Sequence, residues 1–364
     1  MQNAMNRAGQ LVKCLALHAL LALAAEASAQ SSCVPALVAE FGGAAPGGNG
    51  GLRRPEVHLA DRGSRCLTQD LRQQKLIDPR TAAEMRTVGG DAIVLIGADD
   101  VSLDLNGHSI ANERQLGYTL VKHYRYEPGR GHFHSFARTR ISNGSLVSPG
   151  SRGIAIRLVS AGAYGRTSFG VPVQVPTGME AADVYADTGH LIEDLAVHAG
   201  SRAILVDGRN NVIRNNRITV DGTTAIVAQG PGIVIENNLI EVRGDLRQLS
   251  DFDRRTEART PFVIRLIQAD GAIIRNNEIR LVDVVGEGPL PAAIELIASR
   301  DVLVDGNRML GMRTAVNADA ASSHHEANNR VEVCPAGETR FLPPPEAGNP
   351  VAARVPACRS GPGR

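Results

Sequence analysis

The chain contains no tryptophan, and phenylalanine and tyrosine together make up only 3% of its 364 residues. A core organised around large aromatic rings is excluded, so whatever is buried must be aliphatic. Lysine is almost absent: beyond Lys13 only Lys75 and Lys122 occur, and arginine carries nearly all the positive charge. With 39 basic and 38 acidic side chains the formal net charge is +1, which leaves no basic footprint for a nucleic acid partner. No apolar run reaches the ~20 residues that a membrane-spanning helix requires. Cysteine is sparse at 5 residues, and one of these, Cys14, falls in the N-terminal apolar segment.

That segment reads as an export signal. Arg7 and Lys13 precede a short apolar stretch from Cys14 to Ala25, and Ala27-Ser28-Ala29 supplies a small-residue cleavage site, giving a mature start at Gln30. The expected location is the periplasm or the exterior, with a monomeric chain. Cys33, Cys66, Cys334 and Cys358 remain, an even number in an exported protein, and they imply two disulfides. Several pairings are open. Cys33–Cys66 and Cys334–Cys358 are favoured because each would staple one end of the chain.

The strongest internal signal is a repeated phrase. It reads Val212-Ile213-Arg214-Asn215-Asn216-Arg217-Ile218, then Val234-Ile235-Glu236-Asn237-Asn238-Leu239-Ile240, then Ile273-Ile274-Arg275-Asn276-Asn277-Glu278-Ile279, and more weakly Leu303-Val304-Asp305-Gly306-Asn307-Arg308-Met309. The second asparagines are 22, 39 and 30 residues apart. Short β-branched runs at such a period mark stacked coils of a solenoid, with longer loops in some turns. A second apolar run recurs in each coil: Ala203–Val206, Ala225–Ala228, Phe262–Ile264 and Ala293–Ile297. Stacking would place Glu193, Arg214, Glu236, Arg275 and Asp305 in one outer column of alternating charge, and Asn215, Asn237 and Asn276 in an asparagine ladder. Both are read as structural devices that fix register.

Upstream, Leu103-Asp104-Leu105-Asn106-Gly107-His108 and Ser142-Asn143-Gly144-Ser145 repeat the theme of alternation followed by a turn. Together with the Asn-Asn coils these segments resemble the right-handed parallel β-helix proteins of the pectin-lyase-like superfamily, over roughly residues 90–320. The resemblance implies an all-β solenoid with an N-terminal cap and an irregular C-terminal tail. Its expected parts are a signal (1–29), a leader and cap (30–89), the parallel β-helix (90–320) and the tail (321–364). Within the cap, residues 67–86 suit an amphipathic helix. The family hosts lyases, hydrolases, epimerases and non-catalytic proteins alike, so the fold leaves the activity open.

Chemistry is concentrated between about 112 and 140, where aromatic, histidine and arginine residues cluster. Aromatic rings pack on sugars, arginine grips carboxylates through two parallel hydrogen bonds, and histidine or tyrosine moves protons. For β-elimination on a uronate polymer, Arg125 or Arg130 would neutralise the carboxylate, and His132, His134 or Tyr124 would act as base and acid. Lys122, His123, Tyr126 and Arg138 would bind the substrate. The signatures of polygalacturonases and alginate epimerases are absent. Asp99, Asp100 and Asp104 lie close in sequence without forming a convincing calcium set; His132-Phe133-His134 would put two imidazoles on one face of an extended segment, with His123 or His108 completing a metal set, a weaker reading, and no metal site is assigned. The expected partner is a polysaccharide, which the chain binds and, if it is catalytic, cleaves or otherwise modifies. The alternative is a non-catalytic structural or binding β-helix of the periplasm or cell surface.

Overall fold

Runs of Val and Ile with period-two alternation form strands because the branched side chains pack well on a pleated surface. The computed structural model describes residues 34–36, 57–73, 92–112, 119–123, 125–126, 133–134, 136–149, 153–159, 172, 178, 184–222, 224–245, 262–285 and 292–332. After β1 (Val34–Pro35) the first rung comprises β2 (Val57–Leu59), β3 (Gly63–Cys66) and β4 (Leu71–Gln73), and the second β5 (Ala92–Ile96), β6 (Val101–Asp104) and β7 (Ser109–Asn112). The third has β8 (Thr119–His123), a small ribbon of β9 (Arg125–Tyr126) and β10 (Phe133–His134), and the long β11 (Arg140–Ser148). The fourth has β12 (Ile154–Leu158) and the long β13 (Leu191–Ala199).

From there the rungs are regular. They are β14 (Arg202–Asp207), β15 (Val212–Arg214) and β16 (Arg217–Val220); β17 (Ile226–Gln229), β18 (Val234–Glu236) and β19 (Leu239–Asp245); β20 (Phe262–Ile267), β21 (Ile273–Arg275) and β22 (Glu278–Val285). Then come β23 (Ala292–Ile297), β24 (Val302–Asp305) and β25 (Arg308–Leu310), and last β26 (Thr314–Ala318), β27 (His324–Ala327) and β28 (Arg330–Glu332). Every strand except the antiparallel pair β9–β10 bonds in parallel to its equivalent one rung away. The first strand of each rung belongs to a 9-stranded sheet, here face 1. The second and third strands form faces 2 and 3, which β11 and β13 join by running unbroken through the turn between them. The chain is an all-β parallel β-helix.

Inward columns fill the interior. Face 1 contributes Val94, Val121, Ile156, Ile204, Ile226, Ile264 and Ile294, each opposite the next in register and none above 0% exposed. Face 2 contributes Ile141, Ile192, Ile213, Ile235 and Ile274, and face 3 Leu146, Val197, Ile218, Ile240 and Ile279. Burying each of these side chains stabilises by about 1.5–3 kcal/mol. At the last rung the face 3 column ends on the exposed Val331.

The turn between faces 2 and 3 corrects one expectation. Asn215, Asn237 and Asn276 do not form the ladder; they sit at φ 56, 56 and 54 and make the left-handed bend itself. That bend turns the following asparagine inward. Asn216, Asn238, Asn277 and Asn307 are 1–2% exposed. Asn216 accepts from the Leu195 N–H at 3.1 Å, and each of the other three accepts both the backbone N–H and the side-chain amide of its predecessor at 3.0 Å, Asn238 from Asn216, Asn277 from Asn238 and Asn307 from Asn277. Asn329 ends the column as acceptor from Asn307. Each carboxamide also donates to a carbonyl of the preceding rung, as Asn238 does to Ile213 at 3.0 Å. The ladder is thus fully paired, as a buried polar column must be.

Two further findings bear on the expected layout. The outer charge column has the expected register, with Glu193, Arg214, Glu236, Arg275 and Asp305 opposite one another in turn. The rungs begin earlier than residue 90: Gly63–Cys66 and Leu71–Gln73 are strands bonded to β6 and β7. Leu71–Gln73 therefore occupies part of the stretch expected as a capping helix. Leu67 and Leu71 point into the core at 1% and 3% exposure, a pairing that outweighs helical periodicity. Residues 74–86 of that stretch, the leader's Gly/Pro-rich tract at 42–51 and residues 333–364 lie outside the described residues.

Candidate functional site

Between face 1 and face 2 most rungs turn within a few residues, but rungs three and four do not. The third leaves face 1 at His123 and enters face 2 at Arg140; the fourth leaves at Leu158 and enters at Leu191. Within the first excursion the antiparallel ribbon sets Arg125 opposite His134 and Tyr126 opposite Phe133. Two residues assigned to β-elimination, Arg125 and His134, are thereby register partners. Tyr124, Arg130 and His132 lie outside the described residues.

Strand alternation separates Lys122 from His123. Lys122 points outward from face 1 and is 6% exposed; His123 points inward in the column of Ile96 and Leu158 and is 1% exposed. Arg138 stands elsewhere, exposed at φ 55, with its guanidinium on the Asp100 carboxylate (Nη2–Oδ2 3.0 Å) and Asp187 nearby. That contact holds the Asp100 carboxyl below its ordinary range. Lys122, His123 and Arg138, three of the four residues expected to bind substrate, therefore face three directions, and His123 is buried.

On the outside of face 1 the register sets Arg157 directly beside Lys122, flanked by Leu95 and Leu205. Neighbouring strands are about 4.8 Å apart, and like charges so placed oppose each other. Farther along the same column Arg265, at 2% exposure, forms an ion pair with Glu295 (2.5 Å) and lies 3.7 Å above the Phe262 ring. Tyr185, returning from the second excursion, covers this face: its hydroxyl donates to Gln268 (2.6 Å) and accepts from Gln229 (2.8 Å). Burial raises its pKa well above the ordinary phenol value.

Inside the same corner lies a buried polar group. Register continues each face 2 column one residue back, through Val101, Thr139, His190, Asn211, Ile233, Ala272 and Val302, all at 0–1% exposure. Three successive members, Thr139, His190 and Asn211, are polar. Asn211 accepts from the His190 N–H (2.8 Å) and the Thr188 hydroxyl (2.9 Å). His190 Nδ1 accepts from the Thr139 N–H (3.2 Å), and its Nε2 lies 3.1 Å from His123 Nε2. Phe136 meets the His123 ring edge-on, centroids 6.1 Å apart. Burial pushes the His123 imidazole down to about 4, against smaller pulls from its own backbone and from Asp99, and burial likewise holds His190 well below its usual value.

Sequence reasoning passed over His190 and Arg157. A signal existed for His190, since it immediately precedes Leu191-Ile192-Glu193 as Asn211 precedes Val212-Ile213-Arg214. For Arg157 none did, because the rung lengths hide its register with Lys122.

The acidic residues weighed for calcium are engaged in protein contacts. Asp99 accepts from the Ala137 N–H, Asp100 pairs with Arg138, and Asp104 accepts from the Asn106 N–H and the Asn143 amide. Among the described residues no three metal-ligating side chains gather, and no helix is long and apolar enough to cross a membrane. Cys66 is disulfide-bonded; Cys33, Cys334 and Cys358 lie outside the described residues. No family model matches the chain, and no curated protein or solved structure matches it either.

Proposed function

We propose that this is an exported β-helix protein of the pectin-lyase-like kind that binds an acidic, uronate-bearing polysaccharide along the outside of face 1. The observation that carries the reading is Arg157, a half-buried arginine on the outside of face 1 whose column neighbour in the next rung is Leu205 rather than a carboxylate. Face 2 provides the contrast, since there each arginine alternates with a carboxylate and the column is self-neutralising. A ligand carboxylate beside Arg157 would accept charge-assisted hydrogen bonds from its guanidinium. Column retention on immobilised uronate polymers and on a neutral glucan tests this. Retention on the acidic polymers alone, weakened about tenfold or more by Arg157→Ala, supports the reading; equal retention on both sinks it.

Cleavage by β-elimination is a second reading, favoured by the register of Arg125 against His134. Tyr124, Arg130 and His132 would complete that machinery, and release of unsaturated chain ends from a uronate polymer would support it. Export rests on the Arg7–Ala29 segment, and an N-terminus at Gln30 in protein recovered outside the cytoplasm would bear it out. A Cys33–Cys66 disulfide agrees with β1, which begins one residue after Cys33 and sets Pro35 opposite Cys66. Peptide mapping without reduction would identify that link and the Cys334–Cys358 pair.

A further inference from the structure

Three chain segments meet around one hydrogen-bond chain inside the corner of rungs three and four. They are the end of β8 at His123, the entry to β11 at Phe136–Thr139, and the entry to β13 at Thr188–His190. The tautomers follow from the partners. Because His190 Nδ1 accepts from the Thr139 N–H, its own proton sits on Nε2 and is donated to His123 Nε2. His123 must then carry its proton on Nδ1, an atom with no hydrogen-bond partner of ordinary geometry among the described residues. We propose that the His123–His190 pair is an acid-sensitive tie, which holds the entries of β11 and β13 to the end of β8 and releases them when either ring gains a proton.

Geometry leaves no room for that proton. A charged His123 would set two Nε2–H groups against each other at 3.1 Å, and a charged His190 would set Nδ1–H against the Thr139 N–H at 3.2 Å. Both rings are shielded from water, so neither can turn to it for an acceptor. Two charged groups act on His123. Asp99, on the turn after β5, favours the cation, but it already accepts from Ala137 and lies 3.8 Å from Arg62; Lys122, on β8 itself, opposes the cation. Only His123 acts on His190. Burial outweighs the pull of Asp99, and both rings stay neutral through the physiological range. A metal ion is a poor fit to the pair, since binding at both Nε2 atoms would drive the His190 proton onto Nδ1, against the Thr139 N–H. Farther along the same column stand Asn211, Ile233, Ala272 and Val302, none of which titrates.

Hydrogen exchange of the intact protein, at neutral pH and at about pH 4 and corrected for intrinsic rates, tests the tie. Protection of the Thr139, His190 and Leu191 amides is expected to fall about tenfold or more, with Asn238 and Asn277 holding theirs. Unchanged protection at the corner, or an equal loss along the whole solenoid, would overturn the proposal. The double variant H123L/H190N keeps each column's character, leucine beside Ile96 and Leu158, and an asparagine able to accept from Thr139 as Asn211 accepts from His190. Its corner should exchange alike at both pH values; an acid loss equal to the parent's would count against the tie. Should that variant fail to fold, histidine 15N shifts of the parent decide. Nδ1–H on residue 123 with Nε2–H on residue 190 upholds the tie, and a charged ring or the reverse tautomers at neutral pH refutes it.

Discussion

Rungs five to nine and rungs three to four solve the same problem with different chemistry. In both, the chain turns a corner inside the solenoid and leaves backbone N–H and carbonyl groups that no strand satisfies. The regular rungs answer with asparagine, whose carboxamide both donates and accepts and never titrates, so the motif repeats from Asn216 to Asn329 without adjustment. Rungs three and four carry long excursions at the face 1–face 2 corner, and there Thr139 and His190, followed by Asn211 of rung five, replace an aliphatic column, with His123 intruding from the next. An imidazole ring supplies the same acceptor but carries a proton equilibrium with it. The lesson is that one solenoid can pair its corners with groups that never titrate in one region and with titratable ones in another.

The comparison can be broken most severely from the regular side. Asn238→Ala removes the acceptor for the Asn216 N–H and amide and the donor to the Ile213 carbonyl. Several buried groups lose partners at once, and a loss of about 3 kcal/mol or more is expected in urea unfolding. A cost below about 0.5 kcal/mol would mean the carboxamides do not carry the turn.

Acid tests the other side. Folded His123 stays neutral down to about 4, whereas the unfolded chain takes up its proton near 6.5. Unfolding therefore binds a proton below that point, so stability is flat above about pH 6.5, falls toward pH 4 and levels off beneath it. His123 alone accounts for roughly 3 kcal/mol across that window, and His190 adds a loss of the same sign. Urea midpoints of the parent and of H123L/H190N should converge as pH falls; parallel curves would place the acid sensitivity elsewhere.

Smaller changes sharpen the picture. Gly144 stands where the ladder would place an asparagine, and a Cβ there would come within 2.3 Å of the Leu105 Cβ and 2.5 Å of the His108 carbonyl. Gly144→Ala is expected to cost about 1–3 kcal/mol by overpacking, read as a lowered midpoint. On face 2, Arg214→Ala leaves Glu193 with Arg140 as its remaining ion pair. Arg214 is 41% exposed, so solvent screening limits the loss to about 0.5 kcal/mol, less at high salt.

The sequence made the regular rungs readable because Asn-Asn between β-branched pairs recurs with its register marked by Glu193, Arg214, Glu236 and Arg275. It did not reveal which asparagine turns inward. That depends on the left-handed φ of Asn215, Asn237 and Asn276, and either residue of the pair tolerates that conformation. The charge-bearing stretch from 112 to 140 drew attention correctly to an irregular rung, but residue type alone could not separate Lys122, facing out, from His123, facing in. The contact between His123 and His190 spans 67 positions and crosses two excursions of unequal length, so no local pattern could foretell it.

The central claim is that a buried column of carboxamides registers the rungs. High-resolution diffraction would test it most directly. The account predicts Asn216, Asn238, Asn277, Asn307 and Asn329 stacked inward, each Oδ1 about 3.0 Å from the preceding asparagine's backbone nitrogen. Density in which Asn215, Asn237 and Asn276 point into the core, with the second asparagines outside, would contradict it.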